Sequence, residues 1–301
     1  MDLLTITDVG PRDGLQSQRT LVNTEGKMRL IEALFEAGLR SIEATSFVSP
    51  KAVPHMADAD VLLPAVKVPA GARLSALVPN LRGLERAVNA GATEIAVVLS
   101  ASDTMNRKNI GMDLVQATDS CTAVLKRSAQ LGIASRAYVA VAFECPFEGA
   151  TPLARVLDLA WRMSDASGEV VLADTIGAAS PGQVQRVLGT VSGRIDASRI
   201  GVHFHDTRGM ALANAWAALE LGIRRFDASV GGLGGCPFAP GAAGNLATED
   251  LVLMAHQSGY RTGIDLQALC GVIALAQELV GYPIGGRGAR WPASDGRKHD
   301  N

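Results

Sequence analysis

Leu3-Leu4-Thr5-Ile6-Thr7-Asp8-Val9-Gly10-Pro11-Arg12-Asp13-Gly14 decides how the rest of the chain is read. An apolar, β-branched strand pattern runs straight into a polar turn. A doubly wound open sheet would place G-x-G-x-x-G there, so that a helix N-terminus could approach a dinucleotide. The Pro-Arg-Asp core of this turn does not fit that spacing. The same order, short aliphatic run and then amphipathic segment, recurs along most of the chain. Strands are predicted at Leu3–Asp8, Ser41–Thr45, Arg73–Val78, Glu94–Leu99, Arg136–Phe143, Val170–Asp174, Arg199–Phe204 and Phe226–Val230. Helices are predicted at Glu25–Ala37, Leu81–Ala90, Met112–Leu131, Leu153–Ser167, Pro181–Ser192 and Met210–Leu221, several of them stopping at Gly38, Gly91, Gly132 or Gly222. Eight strand–helix units in 301 residues give an α/β fold, a (β/α)₈ TIM barrel. Two more helical stretches follow, Leu246–Ser258 and Leu266–Val280. The second is an additional C-terminal helix, surplus to a minimal barrel. No linker divides the chain, so residues 1–284 read as one barrel domain and 285–301, rich in Gly, Arg and Asp, as a disordered tail.

Composition narrows the function classes. With 28 Lys+Arg against 30 Asp+Glu and 4% aromatic residues, the chain has neither the basic surface nor the stacking rings of a nucleic-acid platform. The longest strongly apolar stretch, Ala137 to Phe143, is strand-sized, far short of the roughly 18 residues of a membrane span. Neither a secretory nor an organellar leader is expected ahead of the first strand. Cysteines at 121, 145, 236 and 270 form neither a CxxC pair nor a disulfide framework, which reads as a reduced, cytoplasmic setting. Glycine is abundant at 32 residues, as expected where backbone turns tightly or passes close to a ligand.

The unusual polar residues fall after strands, on the face where barrels of this kind carry their active sites. Arg12, Asp13 and Gln16 follow the first strand. Glu43 sits near the end of the second, Asp174 closes the sixth, and His203-Phe204-His205-Asp206 closes the seventh. The loop after the eighth runs Gly231-Gly-Leu-Gly-Gly-Cys236-Pro-Phe-Ala-Pro-Gly-Ala-Ala-Gly-Asn245. Each has a plainer reading when taken alone. Pro11 to Gly14 is a good turn, and the two histidines have a plainer reading as satisfied core residues. Asn245 suits a helix N-cap, Cys236 an inert buried thiol, and Glu43 and Asp174 partners for an arginine. Together they have a chemistry. His203 and His205 are two apart on a strand and share one face, the barrel lumen. One carboxylate, two imidazoles and one amide oxygen make a mixed N/O site with open positions, suited to Mg²⁺ or Mn²⁺. A neighbouring arginine supplies a permanent cation for an oxyanion, and a cysteine on a glycine-rich loop supplies an acid. These are the parts for making or breaking a C–C bond through an enolate.

From Val9 to about Leu266 the chain resembles the 3-hydroxy-3-methylglutaryl-CoA lyases of the metal-dependent TIM-barrel group. The likeness is carried by Val9-Gly-Pro-Arg-Asp-Gly-Leu-Gln16, Ile42-Glu-Ala-Thr-Ser-Phe-Val-Ser-Pro50, Cys145-Pro-Phe-Glu-Gly149, Asp174-Thr-Ile-Gly177, His203-Phe-His-Asp-Thr207, Gly232-Leu-Gly-Gly-Cys-Pro237 and Glu249-Asp250. It implies Asp13, His203, His205 and Asn245 as ligands of a divalent cation, Mg²⁺ or Mn²⁺. Arg12 would stabilise the thioester enolate, and Cys236 would protonate it from a closing loop. Glu43 and Asp174 would support this set, and Asp13 or His203 would take the hydroxyl proton. Arg12, Gln16 and Asn109 would contact a CoA-thioester substrate. The resemblance further implies a homodimer or higher homo-oligomer working in leucine and ketone-body catabolism, with no nucleic-acid or membrane partner.

Two positions depart from the family pattern: Arg208 stands where an aromatic Tyr is usual, and Glu144 where a small residue is usual. Arg208 therefore reads as binding a second substrate carboxylate, pairing with Glu144, or as a solvated rim charge. Claisen-condensing synthases share the Arg-Asp and His-x-His patterns but carry Glu-Arg where this chain has Gly235-Cys236. Pyruvate-type aldolases lack the cysteine loop, and a non-catalytic metal-binding relative is the remaining alternative.

Overall fold

A computed structural model of the chain describes residues 2–235 and 244–290. Eight parallel strands close into a barrel: β1 (Thr5–Asp8), β2 (Ser41–Ser46), β3 (Arg73–Leu77), β4 (Glu94–Ser100), β5 (Ala134–Ala140), β6 (Glu169–Asp174), β7 (Ile200–Phe204) and β8 (Arg225–Ala228). Each strand pairs with its neighbours in chain order. β8 returns to β1 with Thr5 opposite Arg225 and Asp8 opposite Ala228. The predicted barrel and its eight strands are present, and the strands are buried along nearly their whole length, as parallel strands covered on both faces are.

Helices clothe the strands. Thr24–Glu36 starts where the Asn23 side chain accepts from the Gly26 amide, and it buries Leu30, Ile31 and Leu34 against the barrel. Gly38, Gly91, Gly132 and Gly222 all adopt positive φ, as the stop signals predicted. The additional helix Leu266–Val280 packs on Thr24–Glu36, and a Cβ on Gly26 would lie 2.8 Å from Leu279 Cδ2.

Several features differ from expectation. Ahead of the predicted Met112–Leu131 helix, here Leu114–Gln130, stands a separate one, Asp103–Ile110. Left-handed Gly111 ends the first, and a capping box between Asp113 and Gln116 begins the second. A short helix, Ala59–Ala65, was hidden by its internal Pro64. β5 stops at Ala140 rather than Phe143, because Val141 takes φ 50°, a costly conformation for a β-branched residue. Hydroxyls hold it there: Thr175 accepts from its amide at 2.8 Å and Thr151 donates to its carbonyl at 2.7 Å. A hairpin of Glu144–Cys145 with Gly149–Ala150 follows.

The start of the expected tail is also placed. The amides of Gly286, Arg287 and Gly288 donate to Glu249 and Asp250, and a 3₁₀ turn spans Gly288–Arg290. Glycine at 286 and 288 lets the backbone pass close to the Asp250 carboxylate, which composition alone does not register. Residues 291–301 lie outside the described residues.

The lumen is not purely apolar. Leu77, Ala96, Tyr138 and Val171 form a cluster separate from the one under the helices. Below it, Arg136 on β5 bonds Glu169 on β6 at 2.8 Å and Asp227 on β8 at 2.7 Å. Gly201 on β7 makes room for this layer, since a Cβ there would lie 2.7 Å from Glu169 Oε1.

Candidate active site

The turn after β1 is a single π-helical turn, Gly10–Gly14. The Val9 carbonyl accepts from the amides of Arg12, Asp13 and Gly14, and the Gly10 amide donates to Asp8 Oδ1 at 2.8 Å. Gly14 admits the neighbouring loop, because a Cβ there would lie 2.9 Å from Leu233 Cβ. Short π segments of this kind recur at functional sites. This one directs Arg12 and Asp13 to the barrel mouth.

Arg12 is buried between two carboxylates. Its Nε donates to Glu43 and its Nη1 to Asp13 Oδ1 at 2.7 Å. Burial opposes its charge, but Glu43 and Asp13 outweigh burial and hold the guanidinium ionised. Glu43 lies within β2 rather than near its end, and its Oε2 stands 3.2 Å from the Tyr138 hydroxyl oxygen. Asp13 keeps 14% of its side chain exposed. Burial works against its charged form, yet Arg12, His203, His205 and the Asn245 amide draw its pKa below the ordinary carboxylate value. Gln16 donates to Asp13 Oδ1 at 3.0 Å, so it orients the carboxylate.

Asp13, His203 and His205 bring one ligand atom each to within 4.8 Å of one another. The two histidines face each other, Nε2 to Nε2, at 3.1 Å. Burial and His203 together push His205 down to about 4. His203 is held above the ordinary histidine value, its Asp227 partner outweighing burial. Asn245 is not a helix N-cap. The helix begins at Thr248 behind Ala247, and Asn245 instead pairs with His205 in a short antiparallel bridge. Its Nδ2 donates to Asp13 Oδ2 and to the Leu233 carbonyl, each at 2.9 Å.

This set fits a divalent cation. Among the described residues the buried Asn245 Oδ1 has no hydrogen-bond partner, and the two imidazole Nε2 atoms at 3.1 Å repel unless a proton or a cation lies between them. Three guanidiniums (Arg12, Arg136, Arg225) face four carboxylates (Asp13, Glu43, Glu169, Asp227) across this network. With His203 neutral, that balance leaves one surplus negative charge. Carboxylate, imidazole and amide donors without thiolate match a hard or borderline ion.

The other expected residues lie around this centre. Both Asp174 oxygens accept backbone amides, from Ala178 at 2.9 Å and Ala179 at 3.0 Å, so it braces the loop after β6. Burial raises its pKa against those amides and the nearby charges of His203 and Arg208. Arg208 stands at the rim, 54% exposed, with Nη2 3.6 Å from Glu144 and Nη1 donating to the Ala178 carbonyl at 3.2 Å. Asn109 is exposed on the helix after β4 and outside the Asp13–His203–His205 group. Cys236 lies outside the described residues. Sequence reading missed Asp227, Tyr138 and Arg136. The available signal was charged and phenolic residues at alternate, inward positions of otherwise apolar strands.

Residues 3–275 match the HMGL-like family. The chain belongs to that family. Among relatives of this HMGL-like chain, the hydroxymethylglutaryl-CoA lyase of Bacillus subtilis (strain 168) is 43% identical over 285 residues, covering 94% of this chain and 95% of the relative. A crystal structure of the Bacillus subtilis HMG-CoA lyase superposes with a TM-score of 0.93 at 42% identity, covering 96% and 97% of the two chains. An HMG-CoA lyase from Acinetobacter baumannii, solved with coenzyme A and 3-methylmalate, has a TM-score of 0.92 at 42% identity, covering 100% and 97%. Among the described residues no helix is long and apolar enough to cross a membrane.

Proposed function

We propose that this chain is a divalent-metal-dependent C–C lyase that cleaves 3-hydroxy-3-methylglutaryl-CoA to acetyl-CoA and acetoacetate. One observation carries the reading: Asp13, His203 and His205 meet within 4.8 Å beside the Arg12–Glu43 pair, at the C-terminal mouth of a barrel. Support comes from 43% identity to a hydroxymethylglutaryl-CoA lyase over 94% of the chain.

Asp13, His203, His205 and Asn245 would hold Mg²⁺ or Mn²⁺, which when bound supplies a Lewis acid for the oxygens of a hydroxy acid. Asp13 takes the C3 hydroxyl proton. The C2–C3 bond then breaks, its electron pair passing into the thioester as an enolate while C3 becomes the ketone of acetoacetate. Arg12 faces the enolate oxygen with a charge that Glu43 keeps in place, a contribution of about 3–4 kcal/mol for a preorganised donor. Cys236 returns a proton to C2, giving acetyl-CoA. Gln16 orients Asp13, and Asp174 braces the loop beneath the substrate. Asn109 contacts the CoA arm, and Arg208 with Glu144 borders the acyl group. The chain works as a homo-oligomer in the cytoplasm, in leucine and ketone-body catabolism.

The test is release of acetyl-CoA and acetoacetate from 3-hydroxy-3-methylglutaryl-CoA, with Mg²⁺ or Mn²⁺ and with EDTA. Turnover with metal and its loss on chelation are expected. No acetoacetate under either metal overturns the reading.

A further inference from the structure

We infer that Asp227, held by Arg136 and Tyr138, is a positioning residue that fixes His203 as its Nδ1–H tautomer and leaves the Nε2 lone pair facing Asp13 and His205. The inference deepens the proposed function and rests on its reading of that trio as a cation site.

Asp227 and His203 stand directly opposite each other on adjacent strands, β8 and β7. Both therefore point into the lumen, and Asp227 Oδ2 lies 3.2 Å from His203 Nδ1. The Asp227 side chain is 0% exposed, so no water competes for it. Its oxygens are taken by Arg136 Nη2 at 2.7 Å, the Tyr138 hydroxyl at 2.6 Å and the imidazole. An ionised carboxylate only accepts hydrogen bonds. The ring nitrogen facing it must then carry the hydrogen, and in a neutral imidazole the other nitrogen is left with its lone pair. That other nitrogen is the one 3.1 Å from His205 Nε2.

Arg136 keeps Asp227 ionised while also binding Glu169 on the far side of the barrel layer. The tautomer at the mouth is thus set by residues one layer below it, none of them in the motifs that identify the family. A ligand histidine whose second nitrogen is pinned by a carboxylate is the general device for orienting a metal-binding ring. Loss of such a partner costs roughly 10- to 100-fold in metal affinity.

An asparagine at 227 cannot present acceptors to all three partners. With its oxygen toward Arg136, its amide group faces Nδ1 as a donor and drives the ring to the Nε2–H tautomer.

The experiment uses histidine-selective ¹⁵N labelling and long-range ¹H–¹⁵N spectra of the metal-free protein, at a pH where the ring is neutral. Mn²⁺ titrations followed by electron paramagnetic resonance run alongside. Wild type is expected to show His203 as Nδ1–H. Asp227→Asn is expected to shift it to Nε2–H and weaken Mn²⁺ about 10- to 100-fold, and Tyr138→Phe to weaken Mn²⁺ less.

Nε2–H in the wild type overturns the inference, and so does a folded Asp227→Asn protein with unchanged tautomer or Mn²⁺ affinity. If Asp227→Asn fails to fold, the wild-type tautomer and Tyr138→Phe still decide. Wild type that binds no Mn²⁺ defeats the active-site reading instead, while the tautomer, read without metal, stands or falls separately.

Discussion

Asn245 donates through Nδ2 to Asp13 Oδ2 at 2.9 Å, tying the loop after β8 to the turn after β1. The same amide group also bonds the Leu233 carbonyl, so its nitrogen is committed, and its buried oxygen, without a hydrogen-bond partner among the described residues, is left for another ligand. Asn245→Ala should therefore lower Mn²⁺ affinity while leaving the barrel folded. Calorimetric titration of Mn²⁺, with circular dichroism as the control for folding, checks it; affinity equal to wild type would remove Asn245 from the site.

Arg12 and Glu43 are an ion pair with Glu43 fully buried. Glu43→Gln leaves the guanidinium with Asp13 as its charged partner and weakens one buried hydrogen bond to a charged group, which costs about 1–3 kcal/mol. Glu43→Gln is expected to lower stability by that order in urea unfolding. It should also depress kcat more than KM, since a looser guanidinium loses its aim at the enolate. A KM effect alone would point to substrate binding rather than transition-state stabilisation.

Asp8 gives a pH prediction away from the reacting groups. Burial lifts it to about 7 from an ordinary 3.8, although Thr248 and Gly10 donate to it; the neighbouring charge of Glu249 adds to the rise. Between those values the folded chain holds a proton that the unfolded chain has released, so stability falls as pH rises. The full contribution is present below about pH 4 and is lost through about pH 7, on the order of 4 kcal/mol. Urea unfolding from pH 4 to 8 should show this decline, flattened in Asp8→Asn. Identical slopes in both proteins would refute it.

The barrel was legible because short strand-forming runs alternate with amphipathic segments, several of which stop at a glycine that turns left-handed, as at Gly38, Gly91, Gly132 and Gly222. The His203–His205 pairing followed from the two-residue period of a strand. The rest was hidden for identifiable reasons. The turn at Gly10–Gly14 cannot be told from an ordinary Pro-Gly turn, since what makes it π-helical is the Val9 carbonyl collecting three amides. Asn245 before an apolar run mimics a cap, and only the bridge to His205 excludes one. Arg136, Tyr138 and Asp227 were missed because a polar residue inside a strand is read as solvent-facing until its partners on other strands are known. The Gly286–Gly288 amides likewise acquire meaning only once Glu249 and Asp250 are placed beside them.

Gly201 is where packing and polar network meet. A Cβ would lie 2.7 Å from Glu169 Oε1 and 3.2 Å from Val171 Cγ2, so Gly201→Ala must displace the Glu169–Arg136 pair. A loss of about 1–3 kcal/mol is expected, measured as a lower midpoint in urea. A variant as stable as wild type would show that the layer is loosely packed.

Arg208 is 54% exposed and 3.6 Å from Glu144, so the pair contributes little to stability, about 0–1 kcal/mol. Its expected effect is on substrate choice. Arg208→Tyr should alter relative kcat/KM across a panel of 3-hydroxy-3-carboxyacyl-CoA thioesters while leaving the midpoint of unfolding near wild type. Uniform ratios across the panel would make Arg208 a solvated rim charge.

The most direct measurement of the site is an anomalous-difference map from crystals of the protein grown with Mn²⁺. A single strong peak within about 2.5 Å of Asp13, His203 Nε2 and His205 Nε2 is expected, and it should vanish in His205→Ala crystals grown the same way. A peak elsewhere on the barrel, or none between those side chains at saturating Mn²⁺, would contradict the assignment of the cation and of the chemistry built around it.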